Sequence, residues 1–203
     1  MFDIINVKRL FFTTLMILTL GEIKCQEANN HLKLIVGGGY GHYFNNLTNV
    51  SSIDMVANNP NLTTKLMWQA EHRLRVGIES GYYPIYTTSR IQTEYSSIEL
   101  KTHLNVIPIL LNISMVLFKN VEASFSTGWA SMRYSILSDN ASEGSISGTT
   151  MSKYNLMLGL TYYYPISKRI DLGTEIKYLY LSKTLDNHMS ISISLSYKFL
   201  SWK

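Results

Sequence analysis

The sequence predicts an all-β protein, an eight-stranded antiparallel up-and-down transmembrane β-barrel preceded by a signal peptide. Three observations lead there. Apolar and polar residues alternate with a period of two through most of the chain after residue 31. The connections between the alternating segments are tight and long by turns. Although 46% of the residues are hydrophobic, no window supplies the roughly 20 consecutive apolar residues of a membrane-spanning helix. A chain of 203 residues with 16% charged side chains suits one domain and is too apolar for disorder.

At the N-terminus Lys8 and Arg9 precede the apolar stretch from Leu10 to Leu20, and a short polar region follows. This is the three-part form of a secretory signal, and the stretch is too short for an anchor helix. The expected organisation is a signal peptide over 1–25, cut after Cys25, and a barrel domain over 26–203 starting at Gln26. A cut near Ala28 is the other option. Lipidation of Cys25 calls for a small residue just before it, and Lys24 stands there. The exported chain then has no cysteine, which excludes disulfides, thiol nucleophiles and cysteine metal sites. The formal charge of +4 is not gathered into a Lys/Arg run, so no nucleic-acid partner is expected.

In chain order, the first strand runs from Leu32 to Phe44 and carries Gly37, Gly38, Gly39 and Gly41, which permit curvature or close packing. In the second, Leu66, Trp68 and Ala70 oppose Lys65, Met67, Gln69 and Glu71. Leu74, Val76 and Ile78 then alternate with Arg75, Gly77 and Glu79 in a strand running to Tyr86, and this β-rich end favours a hairpin over one helix across His72. The fourth strand sets Ile98, Leu100, Leu104 and Val106 against Glu99, Lys101, His103 and Asn105. After Pro108 it becomes apolar on both sides to Leu117, which predicts a register-shifting bulge at that proline. Val121 to Ala130, Lys153 to Tyr163, Ile170 to Lys183 and Met189 to Phe199 complete the eight, the last reading Met-Ser-Ile-Ser-Ile-Ser-Leu-Ser-Tyr-Lys-Phe. Tight connections fall near His72, Lys119 and Pro165 to Lys168. Longer ones span Asn45 to Thr63, Thr88 to Ser96 and Leu137 to Thr149, while Leu185 to His188 is short for its side.

A soluble barrel alternates too, so period two alone does not choose. Aromatics cluster near strand ends, at Tyr82, Tyr83, Tyr86, Tyr162 to Tyr164, Tyr178, Tyr180, Tyr197, Phe199 and Trp202, as interfacial girdles would. The polar faces are rich in Ser and Gly, which suits a narrow lumen. They also carry charges of both signs: Lys33, Lys65, Arg75, Lys101, Lys177 and Lys198 against Glu71, Glu79, Glu99, Glu122, Asp171 and Glu175. An eight-stranded barrel is only wide enough to be filled by its own side chains. The expectation is a lumen plugged by this charge network, with the apolar faces turned outward.

The export signal, the strand ending Glu79, Ser80, Gly81, Tyr82, Tyr83, Pro84, the element Val106, Ile107, Pro108, Ile109, Leu110, Leu111, Asn112, and the closing Ser194, Leu195, Ser196, Tyr197, Lys198, Phe199 together resemble the small outer-membrane β-barrel domain family of Gram-negative bacteria, OmpA/OmpX-like in size. The resemblance covers nearly all of Leu32 to Phe199. It implies an integral outer-membrane location, outer-membrane lipid as surroundings and the barrel-assembly machinery as a partner during insertion. The motifs are diffuse and speak for fold more than for activity. One departure is the terminus, where Lys203 follows Trp202 although such chains usually finish on an aromatic residue.

For chemistry, His188 and Ser190 are similar to the His-x-Ser of outer-membrane lipid A deacylases, but no acidic residue follows Ser190 and Asp186 precedes the pair. The expectation is that the protein is not an enzyme. His31, His42, His72, His103 and His188 are too widely spaced for a metal site, and His42 and His103 read as hydrogen-bonded lumen histidines. The glycines at 37–41 lack the Lys-Ser/Thr of a phosphate loop, and no cofactor is expected. Asn-x-Ser/Thr matches at Asn46, Asn49, Asn61, Asn112 and Asn140 are chance products in a bacterial chain. The function expected is surface recognition or envelope maintenance through exposed loops. The alternatives are a narrow channel or transporter, a lipid-modifying enzyme, and a soluble secreted binding barrel.

Overall fold

The computed structural model describes residues 30–44, 54–69, 73–92, 98–138 and 146–202. The segment expected to be an export signal, its expected cleavage point and Glu71 lie outside them. The elements are β1 (Asn30–Phe44), β2 (Asp54–Val56), β3 (Asn58–Gln69), β4 (Leu74–Gln92), β5 (Ile98–Phe118), β6 (Val121–Ser138), β7 (Ile146–Pro165), β8 (Ile170–Leu181) and β9 (Asp186–Trp202). β3 pairs with β4 as far as Leu62 opposite Tyr82, and β2 resumes that ladder with Val56 opposite Thr87, so β2 and β3 form one stave interrupted at Ala57. Each stave pairs antiparallel with the next, and β1 with β9 closes the ring into eight. Both strand termini, Asn30 and Trp202, lie at the end that carries the short turns at 119–120 and 166–169. Several strands reach further than alternation alone suggested: 54–56, 58–63, 88–92, 137–138 and 146–149, read as loop, are strand.

Which side faces out decides the environment. Along β9 Ile191, Ile193 and Leu195 are exposed, Ile193 at 63%, while Ser192, Ser194 and Ser196 are buried, Ser196 at 0%. β8 repeats this with Leu172, Ile176 and Tyr178 outward and Asp171, Glu175 and Lys177 inward. A water-soluble barrel would have the opposite polarity. Turned this way, the apolar faces have hydrocarbon as their matching solvent, and closure of the ring leaves no unpaired edge.

β5 corrects the sequence reading and shows why it erred. Its pairing with β6 runs without a shift from Leu100 opposite Ser138 to Val116 opposite Glu122, straight through Pro108 opposite Ala130. The irregularity lies instead in β4, between Pro84 and Tyr86, where Ile85 is pressed into the interior. Pro108 cannot donate to the ladder, and its carbonyl accepts a hydrogen bond from Ser80 Oγ at 2.8 Å. From Leu104 to Ser114 the even positions of β5 face inward: Leu104, Val106, Leu110, Asn112 and Ser114 are buried. Leu104 and Val106, expected outward, are therefore inside. What changes near Pro108 is the solvent. From Ile107 to Leu117 the outer face is Ile107, Ile109, Leu111, Ile113, Met115 and Leu117, about the 9–11 residues a tilted strand needs to cross hydrocarbon. Beyond it the same face carries Asn105, His103 and Lys101, and apolar residues move inside.

The 21 residues of β5 extend roughly 70 Å at about 3.3 Å per residue, so at a 45° tilt the barrel stands well clear of a hydrocarbon layer of about 30 Å. In this projecting part Tyr43, Tyr83, Ile85, Leu104, Val106, Met132, Leu179 and Leu181 form an interior apolar cluster. Three aromatics assigned to the girdles belong inside: Tyr83 in this cluster, Tyr86 packed against it beside Tyr43, and Tyr163 near the short-turn end. Tyr82, Trp129 and Tyr154 are exposed near the level where the outer face changes character. Tyr162, Tyr164, Tyr197 and Phe199 are exposed towards the short turns.

Inside the β1/β9 wall Gly37, Gly39 and Gly41 stand opposite Ser194, Ser192 and Ser190. A Cβ on Gly39 would lie 2.0 Å from the Ile191 carbonyl oxygen, so this wall tolerates no side chain there. Its thinness leaves the lumen to the long side chains of the staves on either side, Lys65 and Glu79 from one and Glu175 and Lys177 from the other.

Candidate functional site

The polar interior is built from alternate residues of all eight staves. In mid-lumen Lys65 of β3 and Glu79 of β4 are cross-strand partners, while Glu175 and Lys177 project from β8 on another side of the ring. Lys177 Nζ lies 2.6 Å from Glu79 Oε1 and 3.2 Å from Glu175 Oε2. Lys65 Nζ is 3.7 Å from Glu79 Oε1 and also pairs with Glu175. Two cations and two carboxylates thus close a ring of ion pairs across the barrel. The second oxygen of Glu79 accepts hydrogen bonds from Asn112 Nδ2 at 2.7 Å and Ser126 Oγ at 2.9 Å. Lys177 is 2% exposed, and a buried charge of this kind is tolerable only when its partners satisfy it so completely.

Towards the short turns a second group forms. Lys33 Nζ and Lys198 Nζ share one oxygen, Asp171 Oδ2, at 3.3 and 3.4 Å. Arg75 pairs with Glu122 through Nη1, and its Nε donates to Gln69 Oε1 at 3.0 Å. Lys33 also lies over the Tyr163 ring, 5.3 Å from its centroid.

The structure therefore gathers Lys33, Lys65, Arg75, Glu79, Glu122, Asp171, Glu175, Lys177 and Lys198 inside the barrel. Lys101 stands on the β5 face shared with Ile107 and Ile109, on the projecting part, apart from that group. Glu99 and Glu71 fall outside the residues whose side chains are described. Asn112 and Ser126, which complete the shell of Glu79, were not singled out by sequence. Ser126 sits on an alternating polar face, but Asn112 lies in a run apolar on both sides, where no alternation marks it as a lumen residue. Tyr43 donates to Asp186 Oδ1 at 2.7 Å on the interior face of the projecting part.

The His188–Ser190 pair is also interior, both residues buried on the inward face of β9. Among the described residues no hydrogen bond joins His188 to Ser190 or to Asp186; the imidazole instead meets the Tyr83 ring edge-on at 5.7 Å. Nor does any group of three His, Cys, Asp or Glu among the described residues have the arrangement of a metal site. His42 corrects its expectation: it faces outward and its Nδ1 is hydrogen-bonded to Asn58 Oδ1 at 2.7 Å. His103 bonds Thr87 Oγ1 at 2.9 Å, again on the outer side of the projecting strands.

No protein-family model and no curated protein matches the chain. Among solved structures it is similar to Ail, the attachment invasion locus protein of Yersinia pestis, crystallised with the heparin analogue sucrose octasulfate. The identity is 12%, the TM-score 0.50, and the match covers 85% of this chain and 99% of that one. Neisserial surface protein A matches at 11% identity and TM-score 0.47, covering 83% and 97% of the two chains. The N-terminal β-barrel domain of Pseudomonas aeruginosa OprF matches at 12% and 0.46, covering 83% and 99%. At such identities the likeness is one of fold, and it rests on the first of these. Taken with the outward apolar band, the enclosed charges and the closed ring of eight staves, it gives this chain the fold of the small outer-membrane β-barrels.

Proposed function

We propose that the protein is a non-enzymatic outer-membrane barrel whose lumen is plugged, with the long connections serving surface recognition or envelope maintenance. The observation that carries this reading is the ion-pair ring of Lys65, Glu79, Glu175 and Lys177, which bridges the barrel in mid-lumen. The apolar cluster around Tyr83, Ile85 and Leu181 fills the same bore nearer the long-loop end. A solute would have to part both. The short turns face the periplasm and the long loops the exterior, outer-membrane lipid surrounds the band, and the barrel-assembly machinery inserts the chain.

Recording the purified protein in planar bilayers tests the plug. The expected result is no steady conductance at moderate voltage; a large, stable open level would support a channel instead. Enclosure of His188 and Ser190 speaks against lipid chemistry at that pair. Ser190→Ala is accordingly expected to leave the lipid products of outer membranes unchanged, and an activity lost with that hydroxyl would overturn the non-enzymatic reading.

A further inference from the structure

Charge inside the barrel is balanced where the lumen is closed and unbalanced where it opens. In mid-lumen two lysines meet two glutamates. At the short-turn end two cavities, of about 220 and 370 Å³, share Lys198 in their walls. Among the described residues their walls carry six cations, Lys33, Arg75, Lys119, Lys168, Arg169 and Lys198, and two carboxylates, Glu122 and Asp171. Arg75 and Glu122 satisfy one another. Lys33 and Lys198 must share a single oxygen of Asp171. Among the described residues no carboxylate pairs with Lys119, Lys168 or Arg169. Lys33 and Lys198 thus compete for one carboxylate while Lys119, Lys168 and Arg169 add exposed cations at the rim, and ammonium and guanidinium groups gathered around one mouth are suited to oxyanions.

We propose that this mouth is a binding site for a multiply charged phosphate-class anion, held between Lys198, Lys119 and Lys33 with Arg169 at the rim. Tyr163 and Asn120, both in the wall of the smaller cavity, are neutral residues that carry hydrogen-bond donors beside the cations. The site stands on the cavities alone and does not depend on which side of the membrane the short turns face, nor on whether the lumen conducts.

The test is calorimetric titration of inorganic pyrophosphate into the refolded full barrel in dodecyl maltoside, with ionic strength fixed by sodium chloride. Saturable one-site binding is expected. Lys198→Gln and Lys119→Gln each weaken it by about tenfold, the loss of one charge-assisted contact, while Lys183→Gln, at the long-loop end, leaves it unchanged. A shift in gel mobility on boiling verifies that each variant is closed. Displacement of pyrophosphate by dihexanoyl phosphatidic acid would identify a lipid headgroup as the source of the anion, and binding of pyrophosphate without displacement a free solute; both support the site. Heat that does not saturate, or a Lys183→Gln loss as large as that of Lys198→Gln, would overturn it.

Discussion

Glu79 is the residue on which most of the interior converges. It accepts from Lys177, Asn112 and Ser126 and lies beside Lys65. Glu79→Ala removes the acceptor but leaves its cations buried, so the barrel should lose about 3–5 kcal/mol in urea unfolding from lipid vesicles. The double variant with Lys177→Met should lose less than the sum of the two single losses, because their interaction is counted twice. A second residue-scale test concerns the thin wall. Gly39→Ala meets the Ile191 carbonyl at 2.0 Å, an atom of the backbone that cannot swing aside. It should cost about 1–3 kcal/mol. Gly38→Ala on the outer face has its nearest neighbour at 3.5 Å and should be close to neutral in the same assay. Single residues were legible in the sequence when they sat on a clean alternating face, as Glu175 and Lys177 do. Asn112, Tyr83 and Tyr163 were not: aromatics are consistent with a girdle or a core, and only the ring's geometry tells which.

At the scale of the element, β5 holds the most information. Its alternation changes phase near Pro108, and sequence offers two causes: a slipped register or a change of solvent. Pairing with β6 is continuous, so the solvent changes. Strand existence and sidedness in the membrane were legible because hydrocarbon imposes one polarity. Strand length was not, because beyond the bilayer the polarity reverses and residues such as Leu104 and His103 mimic a loop or a slip. The outer face of β5 gives the test. Ile109→Arg lies within the apolar band and should destabilise by about 2–4 kcal/mol. Asn105→Lys, beyond it, should cost no more than about 1 kcal/mol. Equal costs at the two positions would mean that the band has been drawn at the wrong height.

For the whole molecule, closure and orientation carry everything else: the ion pairs can be buried because the ring is shut, and the apolar faces can be exposed because lipid surrounds them. The protein's three tryptophans, Trp68, Trp129 and Trp202, all stand on the outer surface, Trp129 at 60% exposure. Fluorescence quenching in proteoliposomes therefore addresses the central claim without any substitution. Brominated phospholipids should extinguish most of the emission while aqueous iodide leaves it largely intact. Emission that iodide quenches and brominated lipid does not would contradict an outward apolar face in hydrocarbon.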